Sequence, residues 1–168
     1  ALITIDNHLT PELGNDDAYI RFLRQRNVFD YAAETWQADR HQLDPDNLPD
    51  DCLKVNWTGD TACALLEEFS HDGEPFFLFC SFVEPHGSGS VKREHLAALR
   101  ERPLPPIIGE GLAETDKPET QRTAVARWAT RSSEEKERYR RGVYASLSMV
   151  DANVVKLTDA LDRLGQGT

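Results

Sequence analysis

The sequence predicts an α/β fold: a three-layer sandwich with a mostly parallel sheet, incomplete within its 168 residues. Two observations predict it. Phe76–Val83 is a continuous apolar run that does not alternate and is bounded by turn residues. That is the pattern of a strand buried on both faces, as in a parallel sheet covered by helices. A long amphipathic helix at the C-terminal end, with a shorter one ahead of the apolar run, supplies the covering layers. The whole of 1–168 reads as a single α/β domain with a linker-like loop at 87–90.

The elements follow in order. Leu2-Ile3-Thr4-Ile5 is rich in β-branched residues and reads as a short strand. Asn15-Asp16-Asp17 can cap a helix over Ala18–Arg26, with Tyr19, Ile20, Phe22 and Leu23 as its apolar side. From Val28 to Asp51 the pattern fades into loop. Thr58 or Asp60 starts a second helix, because Ala62, Leu65, Leu66 and Phe69 recur on one face of a 3.6-residue period. Ser70 to Pro75 turns the chain into the apolar strand, which stops at Glu84-Pro85-His86. Gly87-Ser88-Gly89-Ser90 has linker composition. Short helices are expected over Val91–Arg100 and Ala124–Thr130.

The last helix is the clearest. Ser132 and Glu135 have the spacing of a capping box. Tyr139, Val143, Leu147, Val150, Val154, Leu157, Leu161 and Leu164 then recur every three or four residues, a stripe expected to pack on the core. Gly165 supplies the stop. At 1.5 Å per residue this helix reaches about 48 Å, and it suggests a larger sheet than the chain alone can build.

Composition removes several functions. With 19 Lys and Arg against 29 Asp and Glu, the net charge is −10, which opposes nucleic-acid binding along the chain as a whole. No apolar stretch approaches the roughly 20 residues of a membrane span. Ala1–Asp6 lacks the basic start of a signal peptide. The basic cluster Arg138-Tyr139-Arg140-Arg141 reads as a solvated helix face paired with Glu134, Glu135 and Glu137. Cys52, Cys63 and Cys80 match no zinc or redox spacing and read as small buried hydrophobes. Compartment stays open.

Chemistry is expected at the end of the apolar strand, since ligands of open α/β sheets bind beyond the strands' carboxyl ends. Pro85 restricts Glu84 to extended geometry and makes a sharp exit, leaving His86 near the sheet edge. An imidazole there can bind an anion or move a proton. The plainer reading is a junction histidine without a role. His8 follows the first expected strand, and His41, His71 and His95 read as surface residues. No His or Cys pair has metal-ligand spacing, so no metal site is assigned.

Two segments carry a family resemblance. Phe76–His86 resembles the PFFLFxSFxxPH segment of sulfatases in the alkaline phosphatase superfamily, and Tyr144–Val154 resembles their YxAxxxxxDxxVG helix. His8-Leu9 is similar to the end of their Gly-Lys-x-His-Leu motif. The resemblance implies an alkaline phosphatase-like fold and hydrolysis of sulfate esters. The family's nucleophile is a formylglycine made from Cys or Ser in Cys/Ser-x-Pro-x-Arg, and a divalent cation, usually calcium, polarises the sulfate. It further implies that His86 touches the sulfate or the leaving oxygen and that His8 sits by the nucleophile.

The departures from that family bear on activity. No Cys or Ser here is followed by x-Pro-x-Arg, the paired metal-binding aspartates are missing, and Asp6 stands where the motif has lysine. The expectation is a sulfatase fragment, inactive as the isolated chain, with calcium ligands lying elsewhere. The alternatives are a non-catalytic or engineered α/β core and a phosphate or phosphonate ester hydrolase. On the sandwich reading, Phe79→Asp would bury a charge and unfold the domain.

Overall fold

The computed structural model describes residues 17–30, 48–86, 91–107 and 116–167. Among them every regular element is helical: α1 (Ala18–Gln25), a short 3-10 helix (Asp50–Cys52), α2 (Lys54–Asp72), α3 (Arg93–Ala98), α4 (Glu119–Ala129) and α5 (Ser133–Arg163). No strand is present among the described residues, so the predicted three-layer sandwich with a parallel sheet is overturned. The expected strand at Leu2–Ile5 lies outside the described residues.

The local reasons for α1 are those of its sequence. The Asp17 carboxylate accepts from Ile20 N at 2.9 Å and caps the helix. Tyr19, Ile20 and Leu23 are buried, and Asn27, at φ 56°, ends it with Val28 N donating to Leu23 O. Helix α2 starts earlier than its apolar period indicates. The 3-10 helix leads straight into it, and burial of Cys52, Leu53, Val55 and Trp57 holds that junction in the core. Gly73, at φ 70°, closes α2 in the left-handed conformation that glycine adopts without strain. Pro118 starts α4 ahead of the expected Ala124.

The centre of the fold is the packing of α2 on α5. Asn153 Nδ2 donates to Asn56 Oδ1 at 2.9 Å, Lys156 meets Asp60 at 2.6 Å, and Arg163 meets Glu67 at 3.9 Å. Partners advance together along both helices, so the two run parallel. Small residues let them approach. A Cβ on Gly59 would lie 2.1 Å from Asn153 Oδ1. Asn56, the acceptor of a formal glycosylation sequon, also donates to Asp50 O at 2.9 Å and is committed to the fold.

The capping box of α5 forms as expected, with Ser132 and Glu135 each bonding the other's backbone N–H. Its buried line is a different one from the expected stripe. Gly142, Ala145, Ser146, Met149, Asn153 and Ala160 face inward. Leu147 and Val154, from the predicted stripe, stay 41% and 44% exposed. At 100° per residue the two lines lie roughly a quarter turn apart. Arginines from the basic cluster tie α5 to the chain after α3: Arg141 donates to the Leu99 and Arg102 carbonyls and Arg140 to that of Pro105.

Candidate functional site

The segment that carries the candidate site leaves α2 and runs back beside it. Phe76 packs on Phe69 at 5.3 Å between ring centroids, while Phe82 rests against the core around Trp57 and Tyr19. Between them the chain is extended. Leu78, Cys80 and Phe82 are half-buried, whereas Phe77, Phe79 and Ser81 face outward. Phe77 is 89% exposed and Phe79 78%. Residues 76–83 therefore form one strand-like stretch with one face docked and the other bare, and not a strand buried on both faces. A continuous apolar run reports what a segment can bury, but a buried strand also needs neighbours for its backbone groups. None is present among the described residues.

The stretch ends in a tight turn. The Glu84–Pro85 peptide is cis, and His86 N donates to Val83 O at 3.0 Å. His86 is exposed beyond this turn. Glu84 is half-buried, and burial pushes its carboxyl above the usual glutamate range while the nearby Lys54 ammonium opposes that rise. Lys54 is itself buried, with Nζ 5.8 Å from the centroid of the Tyr19 ring. Tyr19 donates to Cys52 O at 2.7 Å, and burial drives its phenol far above the ordinary range. Trp57 closes the apolar side, 5.2 Å from Tyr19. Next to this group Arg26 pairs with Asp51 at 2.8 Å.

This arrangement sets a reluctant carboxyl, with a buried ammonium acting on it, two residues before an exposed imidazole. A ring N–H of His86 can donate to an oxygen of an anion. Sequence reasoning located His86 at this turn but placed it at the edge of a sheet, and no sheet is present among the described residues. His8, expected to sit by the nucleophile, lies outside the described residues. His95, read as a surface residue, is half-buried with Nδ1 3.5 Å from Ser148 Oγ. Lys54 and Tyr19 were missed. The signal was available, since Lys54 is a lone charge within Cys52-Leu53-Lys54-Val55.

Calcium, implied by the resemblance, does not fit the described residues. No three His, Cys, Asp or Glu side chains converge among them. Of the aspartate pair at 50 and 51, Asp50 meets Lys92 Nζ at 2.7 Å and Asp51 meets Arg26, so each carboxylate faces a cation already. No described helix is long and apolar enough to cross a membrane. No protein-family model, curated protein or solved structure matches this chain.

Proposed function

We propose that this chain is a portion of a sulfuric ester hydrolase in which the Glu84-Pro85-His86 turn offers an imidazole to a sulfate group. By itself the chain turns over no sulfate ester, because its 168 residues contain no Cys/Ser-x-Pro-x-Arg nucleophile motif. The observation that carries the reading is the turn itself. It leaves His86 in solvent while Glu84 is half-buried, with the Lys54 ammonium near enough to act on its carboxyl. The order of the two resembling segments, Phe76–His86 before Tyr144–Val154, supports the sulfate ester as substrate over other anionic esters.

Three experiments test this. Titration with sulfate, followed through the His86 ring resonances, should give a saturable shift that His86→Ala abolishes. Absence of any shift refutes the assignment of this turn to sulfate, and an equal response to phosphate favours a phosphate ester parent. Assay of the chain with an aryl sulfate and calcium should give no turnover above solvent. Metal-dependent turnover would refute the claim of inactivity. Sequencing the encoding reading frame on both sides tests the parentage directly.

A further inference from the structure

Helix α5 commits only part of its circumference to the fold. Its buried line of small residues, from Gly142 to Ala160, faces α2. Arg141 and Ser148, which reach the Leu99 carbonyl and the His95 ring, lie to one side of that line at 100° per residue. Leu147, Val150, Val154, Leu157, Leu161 and Leu164 lie to its other side. These are the large aliphatic residues of the helix, yet the fold buries none of them fully. Leu147 and Val154 are 41% and 44% exposed, and the other four are half-buried. Their spacing, alternately three and four residues, is the seam of a coiled coil carried through three heptads. None of the six positions is polar, so the flank offers an apolar strip and no competing charge.

We propose that this flank of α5 binds a second copy of the chain, with the two α5 helices antiparallel. The strip is self-complementary in that direction. A register centred between Val154 and Leu157 sets Leu147 of each copy beside Leu164 of the other, Val150 beside Leu161 and Val154 beside Leu157. Charge selects the direction. From Lys117 to Arg141 there are eight Lys and Arg against four Glu, a net of 8 − 4 = +4. The far ends of α2 and α5 hold Glu67, Glu68, Asp72, Glu74, Asp159 and Asp162 against Arg163, a net of 1 − 6 = −5. Those two ends lie together, since Arg163 meets Glu67 at 3.9 Å. Antiparallel copies bring each basic start toward the other's acidic end, whereas parallel copies stack like on like. The net charge of −10 opposes contact between copies elsewhere and leaves the uncharged strip as the place of least repulsion. This dimer does not rest on the ester hydrolase reading, and neither one's failure touches the other.

The test is sedimentation equilibrium of the full chain at low salt, where a reversible monomer–dimer equilibrium is expected. Leu147→Lys with Val154→Lys should weaken the dimer at least about tenfold, because both copies then place ammonium groups in the seam. Helical circular dichroism should be retained, since both side chains already reach water. Arg138→Glu, at the exposed start of α5, should weaken the dimer about fivefold without touching the apolar strip. Added sodium chloride should weaken it as well, by screening the opposed ends. A chain that stays monomeric throughout, or a double lysine variant that dimerises like its parent, overturns the proposal. A dimer tightened by Arg138→Glu or by salt overturns the antiparallel arrangement. Phe77→Ser with Phe79→Ser should leave the dimer intact. Its loss in that variant overturns the assignment to α5 and moves the contact to residues 76–83.

Discussion

The α2–α5 seam and the stretch 76–83 lie against the same helix and use opposite materials. The seam is built from Gly59, Ala145, Ser146 and Asn153, closed by one amide–amide hydrogen bond and flanking ion pairs. The stretch opens with four aromatic or aliphatic residues in succession, yet among the described residues half of its surface has nothing against it. Size and hydrophobicity thus do not decide which region is core. Complementarity does: small residues bring two backbones together, and large ones are buried only where a second surface is present to receive them.

That contrast can be broken experimentally. The largest expected effect is in the core beside the seam, where Leu23 is fully buried. Leu23→Ala should cost about 3 kcal/mol in urea unfolding, from lost transfer energy and a cavity. A smaller loss, about 2 kcal/mol, is expected for Gly59→Val, whose side chain must displace the bonded Asn153 amide. If that variant is as stable as its parent, the helices are not in the register described.

Glu84→Gln sharpens the comparison at the end of the stretch. The native carboxyl has a raised pKa because burial disfavours its charge. The folded state therefore binds the proton more tightly, and Glu84 disfavours folding progressively as pH rises through and above the usual glutamate range. The variant should melt higher than its parent at neutral pH and at the same temperature in acid. The smallest effect belongs to the stretch itself: Phe79→Asp should change stability by about 0.5 kcal/mol or less, since that ring is already in water. Unfolding by Phe79→Asp, the result the sandwich reading demanded, would show the outward face to be covered.

Local signals were legible in this sequence where one short stretch contains the whole interaction. Asp17 capping α1 and the Ser132–Glu135 box of α5 need only neighbours three residues away, and both form. Gly73 and Gly165 mark helix ends for the same reason. What failed were inferences about partners. The regular stripe from Tyr139 to Leu164 records an apolar face, but the buried line of α5 is set by where α2 lies, which no periodicity in α5 contains. The candidate site shows the same division. The turn at Glu84-Pro85-His86 was readable from proline chemistry, whereas Lys54 and Tyr19 reach it from helices far away in the chain.

The parallel course of α2 and α5 has an electrical result. Their carbonyl ends converge near Gly73 and Gly165, each carrying a fractional negative charge of about one half. Glu68, Asp72 and Glu74, in or just after the last turns of α2, and Asp162, in the last turn of α5, add acidic residues to these ends. The opposite tip of α5, about 46 Å away at 1.5 Å per residue over 31 residues, holds Arg131, Arg138, Arg140 and Arg141. Charge along α5 thus changes sign from one tip to the other, and a polyanion would meet the N-terminal tip on better terms than the C-terminal one.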